Sequence, residues 1–237
     1  MIGFAASGGS LLWYTTRATG TVAIVLLTIV VVLGVAEVKR LRSERWPRFL
    51  IDSLHRQASL LAIVFVTVHV VTSVLDPYAP IGWLDAVIPL HSSYRPFWLG
   101  LGAVAFDLML AVLITSLVRA RLGHTTWRYV HWLAYASWPV AIVHGLGTGS
   151  DVKQVWMLAI TAVCVATVVA AVVVRVVHSP AVTGRWRVGS VSLAAAFVAA
   201  LLIWMPGGPL AGDWSARAGT PSALLEHSAS AQRTASR

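Results

Sequence analysis

The chain has 237 residues, 57% of them hydrophobic and 11% charged. A soluble domain carries about 25% charged residues, so a water-soluble globule is excluded. The formal net charge of +9 would suit nucleic acid, but the basic residues fall in alternate short loops between apolar runs, which is the orientation signal of a bilayer protein.

Apolar runs of membrane-spanning length predict an all-α membrane protein with six transmembrane helices, at about 13–36, 52–75, 97–118, 127–147, 154–177 and 189–205. Residues 1–12 form a short exterior N-terminus. No positive residue precedes Arg17, and the first apolar run is too long for a cleavable signal, so the first helix is expected to be retained. The first loop follows with Lys39, Arg40, Arg42, Arg45 and Arg48. The second span carries "HRQASLLAIVFVTVH", His55 to His69, and leads to a loop with Arg95 against Asp76 and Asp85. The third span holds Asp107, either a proton-handling group or a neutral acid bonded to a neighbouring helix. Arg119, Arg121 and Arg128 flank the loop before "HWLAYASWPVAIVH", His131 to His144, in the fourth span. Lys153 stands against Asp151 in the fourth loop, and Arg175, Arg185 and Arg187 surround the fifth. Loops one, three and five therefore face the cytoplasm of a multi-pass cell-membrane protein, with both termini outside. Trp13, Trp46, Trp98, Trp127, Trp156, Trp186 and Trp204 lie near span ends, as interfacial anchors do. A last helix occupies 179–206. Residues 207–237, rich in Ala, Ser, Gly, Pro and Arg, are expected to be a disordered exterior tail.

Four of the eight histidines, His91, His124, His178 and His227, fall in loops, at a helix end or in the tail, and read as solvated. The other four lie two to a span inside the bilayer, where ionisable groups are rare and usually functional. A separation of 14 residues lifts His69 about 21 Å above His55 and returns it to within about 40° of the same face. The second and fourth spans run in the same direction, so His55 and His131 share one level and His69 and His144 the other. Two imidazoles facing each other can ligate a haem iron axially, and two such levels make a path for electrons. Cys164 is the only cysteine, so no CxxCH motif attaches haem covalently. The 13-residue spacing of the second pair swings His144 by about 140° on a straight helix; Pro139 lies between them and is expected to bend the helix and re-aim it. Gly100, Gly102, Gly145 and Gly147 give room to a porphyrin or serve ordinary helix packing.

An alternative reading is a metal-ion transporter for zinc, copper or iron, since neutral imidazole suits such metals. Two levels about 21 Å apart cannot form one tetrahedral site, and no carboxylate or thiolate completes either pair. A third reading is an assembly subunit with structural histidines.

The paired histidines, with "WYTTRATG", "LHRQASLLAIVFVTVH" and "LGHTTWRYVHWLAY", resemble the ferric reductase-like transmembrane domain. That superfamily includes NADPH oxidases, eukaryotic ferric reductases and the bacterial haem subunit of the methionine sulfoxide reductase system. The resemblance covers roughly residues 10 to 178, and 13–178 is taken as the haem domain. It implies two non-covalent b haems, with His55 and His131 on the inner iron and His69 and His144 on the outer. Arg56 and Arg128 would meet inner propionates or act only as loop charges; Arg17 would bind an outer propionate or snorkel to lipid phosphate. Oxidases and eukaryotic reductases of this type continue into a cytoplasmic FAD and NADPH domain. Here "HSPAVTGRWR" and a further helix follow, and no phosphate loop or dinucleotide fingerprint is found. The expected role is thus a haem-containing electron-transfer component of an oxidoreductase system. It has no flavin or NAD(P) site, sits in the lipid bilayer, and relies on a quinol or a separate flavoprotein or reductase subunit.

Overall fold

The computed structural model describes residues 10–38, 48–178, 184–226 and 230. All regular structure among them is helical: α1 (Leu11–Val38), α2 (Arg48–Leu75), α3 (Pro96–Leu117), α4 (Arg119–Leu122), α5 (His124–His131), α6 (Leu133–Thr148), α7 (Val155–His178), α8 (Gly184–Gly207) and α9 (Trp214–Arg217), with a short 3-10 turn at Leu84–Ala86. The apolar side chains that a soluble protein would hide point outward here. Ile203 is 80% exposed and Leu193 74%, and Leu60, Leu61 and Val64 are also exposed along α2. Such a surface is stable only against hydrocarbon, where each helix satisfies its own backbone polar groups.

Five helices among the described residues are long and apolar enough to cross a membrane: α1, α2, α3, α7 and α8. The fourth expected span, at 127–147, corrects the prediction of six continuous helices. It is divided into α5 and α6 at Trp132. There the backbone tightens, with Trp132 N–H donating to Tyr129 O (3.2 Å) and Tyr135 N–H to Trp132 O (3.0 Å). Tighter winding advances each residue by about 120° instead of about 100°. That is the sense needed to bring His144 back towards the side of His131. Pro139 lies within α6, but the break is seven residues before it.

α1 packs along α2, and α3 along α6, while α1 also meets α6 and α7, and α8 rests on α7. Ile24 and Val31 of α1, Trp138, Ile142 and Leu146 of α6, Val165 and Val168 of α7 and Leu201 of α8 form the buried core. Polar groups inside it are paired: Trp138 Nε1–H donates to Thr28 Oγ1 (2.9 Å), and Thr16 Oγ1 to Thr72 Oγ1 (2.8 Å) across α1 and α2.

The stretch expected to be disordered from residue 207 folds back instead, as far as residue 226. Trp214 is buried and its ring joins those of Trp98 and Trp204. Arg95, left-handed at φ 43° just before Pro96 opens α3, clasps this segment. Its guanidinium donates to Gly147 O, Thr148 O, Thr220 Oγ1 and Ser215 Oγ. The carbonyl ends of α6 favour a cation there. The expectations for His227 and for Lys39, Arg40, Arg42 and Arg45 lie outside the described residues.

Candidate functional site

The helices bring the four intramembrane histidines into the two pairs expected. His55 and His131 rings have centroids 6.3 Å apart, and His69 and His144 rings 6.4 Å apart. A metal–imidazole bond is about 2.0–2.1 Å, and a ring nitrogen lies about 1.2 Å from its centroid, so two rings on opposite sides of one metal ion have centroids about 6.4 Å apart. Both pairs match that spacing. The matched levels also show that α2 and the α5–α6 passage run in the same direction.

The ring nitrogens are prepared unequally. His69 Nδ1–H donates to Thr16 O (2.8 Å) and His144 Nδ1–H to Trp98 O (2.8 Å). Each bond selects the tautomer that leaves Nε2 as a lone-pair donor, the usual outer support of a metal-bound histidine. Among the described residues, His55 and His131 have buried Nδ1 atoms with no hydrogen-bond partner. His131 lies against Trp127, with centroids 4.9 Å apart and ring planes tilted by 32°.

Glycines make the room. A Cβ at Gly20 of α1 would lie 2.9 Å from His69 Nδ1, one at Gly102 of α3 2.6 Å from His144 Nδ1, and one at Gly34 of α1 3.5 Å from His55 Cε1. Gly20 and Gly34 were not singled out from sequence, yet they repeat the 14-residue separation of His55 and His69. That shared period was the available signal. Of the glycines that were singled out, Gly102 contacts a histidine, Gly147 abuts Trp98, Gly100 abuts Leu90, and Gly145 has nothing within 4 Å.

A cavity of about 280 Å³ opens beside the second pair, lined by His69, His144, Arg17, Gly20, Gly102 and Phe106 among others. Arg17 forms an ion pair with Asp151 at its rim and lies 3.8 Å from the Trp13 ring centroid. Arg56 and Arg128 are exposed. Asp107 is half-buried on α3 and does not line this cavity. His91 is half-exposed and donates from Nδ1 to Asp85 Oδ1 (2.5 Å), a contact that pins the loop between α2 and α3. Burial alone would raise the Asp85 carboxyl, but hydrogen bonds from Gly82 N–H and His91 outweigh it and hold it below the ordinary carboxylate range. Among the described residues, no three His, Cys, Asp or Glu side chains converge as they would in a tetrahedral metal site.

Residues 19–142 match the family described as the ferric reductase-like transmembrane component. The chain belongs to this family. The match contains His55, His69 and His131 and stops two residues short of His144. The chain is also 31% identical over 145 residues to the protein-methionine-sulfoxide reductase heme-binding subunit MsrQ of Ralstonia nicotianae, an alignment covering 58% of this chain and 59% of that protein. The chain thus spans about three-fifths of that relative's length. No solved structure matches it significantly. Membership makes this ferric reductase-like chain a multi-pass membrane protein of electron-transfer type.

Proposed function

We propose that this ferric reductase-like protein carries electrons across the membrane through two b-type haems, one between His55 and His131 and one between His69 and His144. The observation that carries the reading is the 6.3 Å and 6.4 Å spacing of the two ring pairs. The heme-binding name of the Ralstonia relative supports it. Haem supplies one-electron carrier chemistry when held by two imidazoles. The chain's own part is to fix those imidazoles. Thr16 O and Trp98 O orient His69 and His144, and Gly20 and Gly102 leave room for those two rings between helices. Arg17 faces the same cavity as the outer pair and is the cation for an outer propionate. The α5–α6 passage completes a sixth crossing, with the inner pair and the Lys39–Arg48 loop at the cytoplasmic side. Electrons arrive from, or leave to, a membrane quinol or a separate flavoprotein or reductase subunit.

Absorbance spectra and pyridine haemochrome titration of the purified protein test this. The expected result is low-spin haem at about two per chain, extractable by acidic solvent. His55→Ala or His131→Ala removes one haem and His69→Ala or His144→Ala the other, while His91→Ala and His124→Ala keep both. Colourless protein from a haem-replete host would refute the reading.

A further inference from the structure

Four buried side-chain nitrogen or oxygen atoms lack a hydrogen-bond partner among the described residues: Arg17 Nε, His55 Nδ1, His131 Nδ1 and Arg175 Nη1. All four are nitrogens, two on arginines and two on the inner ligand pair. Buried donors left unpaired are costly, and more so when charged. The two histidine nitrogens belong to the proposed inner ligand pair, and what the two guanidinium groups lack is an acceptor. Arg17 stands at the outer level, where a haem carboxylate would supply one. Arg175 is the fourth.

Its position is at the inner level. The Arg175 guanidinium lies 5.9 Å from the ring centroid of Trp132, the residue after His131. Trp132 in turn meets Tyr135, with centroids 5.4 Å apart. The Tyr135 hydroxyl and His55 Cε1 both lie within 4 Å of the same point above Gly34. Arg175 of α7 thus connects, through Trp132 at the α5–α6 break and Tyr135 of α6, to the side of α2 that carries His55. No carboxylate forms an ion pair with Arg175 among the described residues, whereas Arg17 has Asp151 and Arg217 has Asp213. The two arginines expected at this level, Arg56 and Arg128, are exposed.

We infer that Arg175 is the inner anion-binding residue, its guanidinium receiving a carboxylate of the cofactor held by His55 and His131, as Arg17 does at the outer level. The inference deepens the haem reading above and depends on it. Guanidinium suits the task because its planar fork meets a carboxylate with two parallel hydrogen bonds and remains charged at any physiological pH. A cation beside an iron centre also favours its reduced state, because the reduced centre carries one positive charge less.

The test is a spectroscopic redox titration of the full chain, purified with both haems, in lipid-free detergent and in nanodiscs with anionic lipid. Arg175→Gln is expected to shift the reduction equilibrium of one haem about tenfold towards the oxidised form, about 59 mV for a one-electron couple, with the other haem unchanged. That shift should appear in both media. Arg56→Gln and Arg128→Gln should move neither haem. Unchanged potentials in Arg175→Gln, a shift from Arg56→Gln or Arg128→Gln instead, or a shift seen only in anionic lipid, would overturn the assignment; the last would mean a lipid phosphate. Should Arg175→Gln fail to accumulate, Arg175→Lys decides. It keeps the charge and the potential but loses the fork, so haem should pass about tenfold faster to a soluble haem acceptor, and an unchanged rate overturns the proposal. Wild-type protein lacking the inner haem would remove the parent reading as well, a result distinct from two haems at unaltered potentials.

Discussion

Gly102→Ala offers the sharpest test of how the outer pair is held. The added Cβ would lie 2.4 Å from His144 Cε1 and 2.6 Å from Nδ1. Ordinary contact begins at about 3.4 Å, so the ring must retreat by about 1.0 Å in a close-packed interface. The ring cannot retreat freely, because Nδ1 is tied to Trp98 O at 2.8 Å. Moving that far takes the bond beyond the about 3.2 Å upper range for N–H···O. Overpacking costs about 1–3 kcal/mol and the lost hydrogen bond about 0.5–1.5 kcal/mol, or roughly 2–4 kcal/mol together. Gly189→Ala on α8 is the control, since its Cβ meets nothing within 4 Å and it does not line the cavity. It should be neutral or gain up to about 1 kcal/mol from helix propensity. Gly34→Ala, with 3.5 Å to His55, should fall near neutral, and Gly20→Ala, at 2.9 Å from His69, between the extremes. Haem content per chain and thermal unfolding in detergent provide the assay. Gly102→Ala is expected to lose the outer haem and unfold at lower temperature. Equal loss from Gly189→Ala, or full retention by Gly102→Ala, would refute the steric argument.

Arg95→Met removes four donor contacts to Gly147 O, Thr148 O, Ser215 Oγ and Thr220 Oγ1. It is expected to destabilise by about 2–4 kcal/mol, with limited proteolysis releasing residues 208–226 that are protected in the wild type. The depressed Asp85 carboxyl contributes stability above the ordinary carboxylate range, and that contribution is lost as pH falls through its folded value. Melting temperature followed from pH 7 to about pH 3 should therefore drop more steeply in the wild type than in Asp85→Asn. Equal slopes would contradict the role given to the Gly82 and His91 contacts. Purified chain should be reduced by dithionite and stay oxidised with NADPH, because a haem pair cannot split a hydride into single electrons without a flavin. Stopped-flow absorbance with flavin-free protein checks this, and rapid reduction by NADPH would refute it.

The helices and the four histidines were legible in the sequence because both depend on short-range facts. Apolar runs such as Leu11–Val38 and Val155–His178 declare themselves by length and composition, since a bilayer requires about 20 apolar residues for each crossing. His55 and His69 share a face through the helix period alone, and parity of the spans set which levels meet. Everything that depended on a partner far along the chain was decided by tertiary structure. The break at Trp132 winds the chain in the sense that turns His144 back towards His131 through two backbone bonds, a contribution that Pro139, the obvious suspect in the sequence, did not reveal. Gly20 and Gly34 gain meaning only because α1 lies against α2, with an imidazole opposite each. The segment after Gly207 looked too polar and too rich in small residues to fold. It is held by the buried Arg95, more than a hundred residues earlier. Local composition reports the solvent a segment prefers. Which arginine finds an acceptor, and which glycine faces a ring, is set by packing between helices; the 14-residue period shared by Gly20 and Gly34 with the histidines hints at a match, but only packing says that they meet.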